Sequence, residues 1–412
     1  MLTAYFKSAS TIARYRAGSA GPHLDRFVDW LVDQGYRRAS IRRHVREVVN
    51  FAAWAESVGL GTATLNHDAL TQLYDHLMTR GRQRDPSGNR PHIYQSACVF
   101  VHFLEVVGAV EPTDVVHAAE VPALFVEFHD WMATHRGTRS ITLANYRRPV
   151  ENLLRTLGLP DTYSAQRLRE FFLQQVNPSQ PAKSKNLATA MRMFLRFLIV
   201  RGDCAPGLNF AIPTVARWRL ATLPKYLSSA SVETLIASCD PSGPLGARDR
   251  AILLLIARLG LRASDVSSLQ FCQLLWSKGT VRVAGKNRRE VELPMPQEVG
   301  DAILHYLQHG RPRVASEAVF ITAVAPFIPI TRVVVGKTVA RAIRQTGIEA
   351  PNQGAHLLRH SVATSMLGDG ISLTAIGALF RHSSIETTAI YAKVDVNLLK
   401  EVVQPWPGAT PC

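Results

Sequence analysis

The sequence is short of acidic residues: 32 Asp and Glu stand against 47 Lys and Arg, which leaves a formal net charge of +15. A positive excess of this size is typical of proteins that bind a polyanion such as nucleic acid, with an anionic membrane surface as the rival partner. Long apolar runs are lacking too. The most apolar segment, AILLLIARLGLR from Ala251, is interrupted by Arg258, whereas a bilayer span needs about 18 or more apolar residues. We therefore expect a nucleic-acid partner and no membrane partner.

Cysteine is also scarce, with five in 412 residues, and no two of them form a C-x-x-C pair. The odd number and the wide spacing argue against a disulfide framework and against a structural zinc site. They favour a reducing compartment, so we expect a cytoplasmic, nucleoid-associated protein. The five are Cys98, Cys204, Cys239, Cys272 and Cys412.

Two further absences limit the kinds of catalytic site that the sequence can form. The sequence has no G-x-x-x-x-G-K-[ST] loop to hold nucleotide phosphates, and no cluster of carboxylates with the spacing of a two-metal site. Any phosphoryl chemistry would therefore use the protein's own cationic side chains. We accordingly expect neither a metal nor a cofactor.

Two segments of the first half look like copies of one helical unit. LDRFVDWLVDQGYRRASIRRHVREVVNFAAWAESVGL at 24–60 resembles FVEFHDWMATHRGTRSITLANYRRPVENLLRTLGL at 125–159, and an Asp-Trp pair lies near the start of each. Apolar residues recur with the spacing of an amphipathic helix, as Leu24, Phe27 and Leu31 show. We therefore expect a duplication of a small helical bundle.

Arginine is dense in both copies, in YRRASIRRHVR and in NYRRP. A solvated helix face is the ordinary explanation, but phosphate contact is the better interpretation because few acids lie nearby. The proline-bearing stretch 205–226 predicts an extended linker that carries two more arginines. Two further candidates, Arg288 and Arg381, lie in segments described below. The full set of candidate DNA contacts is Arg42, Arg43, Arg147, Arg148, Arg217, Arg219, Arg288 and Arg381.

From about residue 225 the pattern predicts a mainly helical domain with one β-hairpin. In GTVRVAGKNRREVELPMP, Val281 and Val283 alternate with polar residues before the turn, and Val291 and Leu293 repeat the alternation after it. The turn therefore projects Lys286 and its arginine neighbours from a two-stranded ribbon. Helical patterns bounded by Gly or Pro follow; they cover about 297–309, 332–346, 357–368, 372–380 and 384–392.

The stretch HLLRHSVATSMLGDGISLTAIGALFRHSSIETTAIYAKVD places polar exceptions on an apolar, helical background. His356 and Arg359 are three residues apart, so both project from one helix face. His382 and Tyr391 lie nine apart across a loop-to-helix junction. Arg262 ends the apolar segment, where its guanidinium is free to point into a cleft. Each residue alone has an ordinary explanation in packing or surface exposure, but their joint order and spacing favour a reaction centre.

Together these residues resemble the tyrosine recombinase, or phage integrase, family over about residues 225–402. The family shows Arg in a G-L-R-x-x-E/D segment, Lys on a hairpin, H-x-x-R-H, L-G-H-S-S and a Tyr nine residues later. Here GLRASDVSSL, GKNRREVEL, HLLRH, FRHSS and the final Tyr take those places. The catalytic residues that the resemblance implies are Arg262, Lys286, His356, Arg359, His382 and Tyr391.

One position departs from the family pattern, because Arg381 stands where the family generally has Gly. Arg adopts a left-handed turn less easily than Gly. Either the loop that follows is shaped differently, or Arg381 adds a phosphate contact. The departure removes none of the six catalytic groups.

The expected roles follow from the residue types. Tyr391 supplies the nucleophile and stores the bond energy as a 3′-phosphotyrosine. Arg262 and Arg359 clamp the phosphate as its charge grows in the transition state. Lys286 is the general acid for the leaving 5′ oxygen. The resemblance implies that the two histidines of the set hydrogen-bond the phosphate and manage the tyrosine proton.

The resemblance implies a mainly α fold, with N-terminal helical, SAM-like core-binding domains and a mostly helical catalytic domain that has a small antiparallel sheet. We expect an additional N-terminal helical DNA-binding module at 1–112, the core-binding domain at 113–204 and a linker at 205–226. The catalytic domain, with a C-terminal tail, is expected at 227–412.

The implied function is site-specific recombination of double-stranded DNA, for integration, excision or transposition of a bacterial mobile element. The implied assembly is a homotetramer on DNA, with sibling recombinases as further partners. Two alternatives stay open: a type IB topoisomerase, which shares the chemistry but acts as a monomer, and a DNA-binding regulator without catalysis. The complete set of six residues speaks against the regulator, and the duplicated module weakly favours the recombinase.

Overall fold

The computed structural model describes residues 1–61, 64–79, 91–111, 122–177, 179–215, 223–284, 290–381 and 385–394. These residues are mainly helical and include a three-stranded antiparallel sheet, which confirms the predicted fold class. None of their helices is both long and apolar enough to cross a lipid bilayer.

The chain divides into two compact units, each assembled from separate stretches of sequence. The helical unit comprises Ser8–Leu24 and His44–Arg219. The mixed unit, which contains the sheet, comprises Met1–Lys7, Asp25–Arg43 and Leu220–Cys412. The domain boundaries that the sequence suggests remain predictions.

Each of the two similar segments, taken together with the stretch that follows it, forms four successive helices; these groups of four are called the first and the second copy below. The helices have 13, 20, 13 and 15 residues in the first copy and 14, 18, 11 and 21 residues in the second. This repeated order supports the duplication. After α1 (Ala9–Ala17), the helices are α2 (Gly21–Asp33), α3 (Arg38–Ser57), α4 (His67–Thr79), α5 (His92–Val106), α6 (Ala123–Arg136), α7 (Ser140–Leu157), α8 (Ala165–Gln175) and α9 (Pro181–Arg201).

Aromatic side chains form the centre of the second copy, within the helical unit. The Phe128 ring on α6 meets Phe194 on α9 edge-on, with ring centroids 5.3 Å apart, and its centroid is 5.7 Å from that of Phe197. All three rings are buried. The apolar stripe of each helix is thus removed from water, which stabilises helices that would be marginal alone.

Eight helices and three strands follow in the described part of the mixed unit from residue 223 onward. An apolar core spans most of them, and the run AILLLI becomes the fully buried centre of one helix, with Ala251–Ile256 at 0% exposure. The elements are α10 (Ser229–Ala237), α11 (Pro244–Leu259), α12 (Ala263–Ser267), β1 (Leu274–Leu275), β2 (Thr280–Ala284), β3 (Glu290–Pro294), α13 (Gln297–His305), α14 (Arg332–Thr346), α15 (Ala355–Gly368), α16 (Leu373–Leu379) and α17 (Ile385–Thr388).

The predicted hairpin is present as β2 and β3. Val281 pairs with Leu293 and Val283 with Val291, and both β2 valines are buried. The alternation read from the sequence therefore marks the buried face correctly. The third strand, β1, pairs antiparallel with β2 and was not predicted from the sequence.

The prediction of one helix over 384–392 is wrong. Helix α17 ends at Thr388, and Tyr391–Val394 is a separate 3-10 turn. Tyr391 and Phe380 belong to a second, smaller core together with apolar residues of α15 and α16. Tyr391 therefore begins a turn that is packed against this core instead of lying on a continuous last helix.

Candidate active site

A glycine at the end of α11 sets the course of the chain into the site. Gly260 has φ +57°, in the left-handed region, and a β-carbon there would collide with the Phe380 ring. Glycine is therefore required both for the backbone turn and for the close approach. The chain then leads into Arg262, which caps α12, and its backbone N–H donates to the Asp265 carboxylate at 3.1 Å.

Two arginines from distant parts of the sequence converge on one backbone oxygen. Arg359 on α15 donates from Nη2 to the Phe380 carbonyl at 2.6 Å, and Arg262 donates from Nη2 to the same oxygen at 3.3 Å. Arg359 also donates to the Gly260 carbonyl and lies 4.3 Å above the centroid of the Phe380 ring. The predicted pair of phosphate-clamping guanidiniums is thus held together by the fold.

Burial and nearby positive charges disfavour the charged forms of the two guanidiniums. Arg359 is only 3% exposed, and burial, with a contribution from the charge of Arg262, lowers its pKa to about 10. Burial and the charge of Arg381 also lower the pKa of Arg262, while Asp265 opposes the shift. Because a cation in such surroundings is stabilised by a nearby anion, the site favours binding of a negatively charged group.

Arg381, the departure from the family pattern, closes a ring of contacts around Arg262. Its φ is +54°, so an arginine occupies the left-handed region here. Its guanidinium forms an ion pair with Oδ2 of Asp265, the oxygen that accepts from the Arg262 N–H, and the Arg381 carbonyl accepts from Arg262 at 3.4 Å. The Arg381 side chain is 4% exposed. A contact between Arg381 and DNA would require this ion pair to open, and it remains a prediction.

Tyr391 is buried and hydrogen-bonded to a histidine that was not among the predicted catalytic residues. The tyrosine is 2% exposed, and its hydroxyl lies 2.8 Å from Nδ1 of His360. Burial, partly opposed by the charge of Arg359, raises the pKa of Tyr391 to about 12. The sequence signal for His360 was its place in HLLRH, one helical turn after His356 and on the same face.

His356 lies on the same face of α15, and its ring centroid is 5.8 Å from that of His360. The residue is exposed, yet the protein around it desolvates the ring, and with the charges of Arg359 and Arg262 this lowers its pKa. Desolvation by burial, with His356 and Arg359, also lowers the pKa of half-buried His360. Both imidazoles therefore favour the neutral form, which can accept a proton.

Several predicted site residues lie outside the described residues, so their roles stay predictions. Two of them, in the segment that joins β2 to β3, are the expected general acid and a nearby arginine. The histidine of FRHSS, the two linker arginines and the C-terminal tail also fall outside. The residues concerned are Lys286, Arg288, His382, Arg217 and Arg219.

The candidate DNA-contacting arginines of α3 and α7 are not part of this cluster. Arg42 and Arg43 are exposed on α3, and Arg148 is exposed on α7. Arg147 is half-buried and pairs through Nε with Glu151, one turn along α7, at 2.5 Å. Among the described residues, no three His, Cys, Asp or Glu side chains are grouped so that they could hold a metal ion.

The chain is similar to known proteins over most of its length. The sequence profile of the phage integrase family matches residues 225–397. A protein named integrase/recombinase y4rA from Sinorhizobium fredii (strain NBRC 101917 / NGR234) is 34% identical, over 98% of this chain and 99% of that protein. Tyrosine recombinase XerD from Lacticaseibacillus casei is 31% identical, over 65% of this chain and 92% of XerD.

Solved structures show the same fold. The XerH site-specific recombinase, bound to a palindromic difH substrate in a post-cleavage complex, aligns with a TM-score of 0.55 at 20% sequence identity. The alignment covers 67% of this chain and 83% of XerH.

Proposed function

Because the chain belongs to the phage integrase family of tyrosine recombinases, we propose that it is a site-specific DNA recombinase that cleaves and rejoins strands through a covalent 3′-phosphotyrosine at Tyr391. The observation that carries this proposal is the convergence of the Arg262 and Arg359 guanidiniums on the Phe380 carbonyl. Phe380 and Tyr391 share one small core, so the converging cations and the nucleophile belong to the same part of the fold.

The two arginines act on the scissile phosphate. A phosphate oxygen accepts hydrogen bonds as a carbonyl oxygen does, but it carries a negative charge, so it forms stronger bonds with both guanidiniums. Negative charge on the phosphate grows as Tyr391 attacks, and the fixed cations stabilise that charge. Burial of Arg359 keeps its guanidinium in place before DNA arrives, so little reorganisation remains during the reaction.

The rest of the catalytic set comes from the resemblance. His356 and His382 would hydrogen-bond the phosphate, and Lys286 would protonate the 5′ oxygen as it leaves. The phosphotyrosine keeps the energy of the broken phosphodiester bond, so a second 5′ hydroxyl can displace Tyr391 and complete strand exchange.

The two alternative functions are not favoured. A relative named integrase/recombinase aligns with 98% of this chain, which includes both helical copies as well as the C-terminal half. A topoisomerase-like or regulatory protein is not required to keep that whole arrangement. The described members of the catalytic set are also intact, which a DNA-binding regulator without catalysis would not need.

The partner is double-stranded DNA that contains recombination sites, and the net charge of +15 suits that partner. Recombination of two duplexes calls for four protomers on the DNA, and the expected assembly is a homotetramer. Sibling recombinases are the expected further partners. The module at 1–112, the core-binding domain at 113–204, the linker at 205–226 and the catalytic domain would each contribute contacts to the DNA. The expected role is movement of a bacterial mobile element in the cytoplasm, at the nucleoid.

A suicide substrate tests this proposal. In DNA with a nick just beyond the cleavage position, attack releases a short fragment that carries the new 5′ hydroxyl. This fragment diffuses away, so the strand cannot be rejoined and the covalent adduct accumulates. We expect the wild-type protein to give an SDS-resistant protein–DNA adduct, and Tyr391→Phe to give none while still binding the DNA. Candidate sites would be taken from the DNA that flanks the gene. If wild-type protein forms no adduct on any of those sites, the proposed function is wrong.

A further inference from the structure

Helix α15 carries two histidines one turn apart, and they differ in what they contact. The His360 ring meets the Tyr391 ring, with centroids 5.6 Å apart, and its Nδ1 is 2.8 Å from the tyrosine hydroxyl. His356 is exposed and has no such contact with the tyrosine within the described part of the chain. The resemblance nevertheless assigns the tyrosine proton to the histidines of the known catalytic set, which does not include His360.

We propose that His360 is the general base that takes the phenolic proton of Tyr391 when the tyrosine attacks the scissile phosphate. This inference rests on the proposed function, because it takes Tyr391 as the nucleophile. A distance of 2.8 Å between Nδ1 and the hydroxyl oxygen is within the range for direct proton transfer.

The proton and the bonds balance as follows. The hydroxyl donates to the Nδ1 lone pair, so the neutral ring carries its own proton on Nε2. The O–H bond of Tyr391 breaks, its electron pair forms the new O–P bond, and His360 becomes an imidazolium. The P–O5′ bond breaks, and the 5′ oxygen takes a proton from the general acid, for which Lys286 is the proposed source. On rejoining, the incoming 5′ hydroxyl gives its proton to Lys286 and bonds to phosphorus, the O–P bond of Tyr391 breaks, and the imidazolium returns its proton to the phenolic oxygen.

The surroundings of the pair explain why the tyrosine needs a base and why His360 can be one. Burial raises the pKa of Tyr391 to about 12, so the hydroxyl does not ionise by itself near neutral pH. Burial, His356 and Arg359 lower the pKa of His360, so its imidazole stays neutral. Because the pKa of Tyr391 is far above that of His360, the proton stays on the tyrosine before it attacks. Transfer therefore accompanies attack, because the phenolic oxygen loses basicity as it bonds to phosphorus.

A simpler explanation is that His360 only satisfies a buried hydroxyl. His360→Asn distinguishes the two, because the Asn side-chain oxygen lies close to the position of Nδ1 and accepts a hydrogen bond but takes no proton near neutral pH. We expect His360→Asn to slow single-turnover adduct formation by about 10²-fold or more, with DNA binding retained. His360→Ala should be as slow. The exposed His309 on the same unit supplies a matched control, and His309→Asn should react at the wild-type rate.

The pH profile provides a readout that a packing role would not change. The wild-type rate should rise with pH as His360 loses its proton and then level off, with a midpoint below the ordinary histidine pKa of about 6.5, because the folded pKa is lowered. His360→Asn should lack this step. If His360→Asn instead reacts at the wild-type rate, or keeps the wild-type pH profile, His360 is not the base.

A DNA substrate with sulfur in place of the bridging 5′ oxygen shows which proton transfer a variant has lost. It also tests the role of His360 separately from the proposed function. A 5′-bridging phosphorothiolate has a leaving group that needs no proton, so it should restore cleavage by Lys286→Ala but not by His360→Asn. Rescue of His360→Asn would place His360 on the leaving-group side and overturn the inference. If wild-type protein forms no adduct with either substrate, the proposed function fails and the inference with it. An active wild type with an equally active His360→Asn overturns the inference alone.

Discussion

Arg359 and Arg148 have the same side chain in opposite surroundings. Arg359 is 3% exposed, bonded to two backbone carbonyls and stacked on Phe380, whereas Arg148 is exposed on α7. A buried guanidinium is fixed in direction and desolvated, so it acts strongly on one atom of a ligand. An exposed one adds charge that water and salt screen. The difference separates arginines that would stabilise the reaction from arginines that would hold the DNA backbone.

The largest effect is expected at Arg359. Arg359→Ala should lower adduct formation by about 10²- to 10³-fold, because removal of a fixed donor to a developing negative charge has effects of that order. DNA binding should change little, since many other basic residues contact the backbone. Suicide-substrate kinetics at saturating protein and a binding titration on the same DNA measure the two quantities.

Two controls accompany this substitution. Arg359→Lys keeps the charge but loses the forked donor, so it should also be strongly impaired. Arg148→Ala should cleave bound DNA at the wild-type rate. If Arg359→Ala loses binding and cleavage to the same extent, Arg359 binds the DNA backbone, as is expected of Arg148. The two arginines would then not differ in role.

Arg381 is intermediate between Arg359 and Arg148. Its side chain is buried, but its charge is paired with Asp265 within the protein. Arg381→Gly removes the ion pair and loosens the contacts that hold Arg262. We expect cleavage to fall by roughly 10- to 100-fold, because small misplacement of a catalytic group has effects of this order. Glycine also accepts φ +54° without strain, so part of the lost stability should be recovered.

A double-mutant cycle with Asp265→Ala isolates the pair. The free energies of unfolding in urea should show a coupling of about 0.5–3 kcal/mol between Arg381 and Asp265, as residues in contact do. Additive effects on stability and an unchanged cleavage rate in Arg381→Gly would mean that the ion pair does not position Arg262.

The sequence predicts parts of the site that depend on local spacing. His356 and Arg359 share a face because three residues make nearly one helical turn, and the hairpin alternation marks which valines are buried. The resemblance adds that Arg262 joins them. These features need only short-range rules or a motif.

The remainder depends on contacts between residues far apart in the sequence. Arg381 meets Asp265, 116 positions away, and no pattern within either segment specifies that pair. Tyr391 begins a 3-10 turn that is separate from α17, whereas helical periodicity had suggested one continuous helix there, so the periodicity could not show which histidine contacts Tyr391. His360 was therefore missed although it lies within the motif that identified Arg359.

The smallest effects are expected on α7, where two adjacent arginines differ in one respect. Arg148 is exposed, while Arg147 already pairs with Glu151. If Arg148 contacts a phosphate, Arg148→Ala should weaken binding modestly and reduce the slope of log affinity against log salt by about 0.9, because one fewer counterion is released. Arg147→Ala should change the slope less, since its charge is partly compensated before DNA binds. Binding titrations over a range of salt concentrations measure both slopes. Equal changes in the two variants would show that the ion pair on α7 opens on DNA, and no change in either would remove both residues from the DNA-contacting surface.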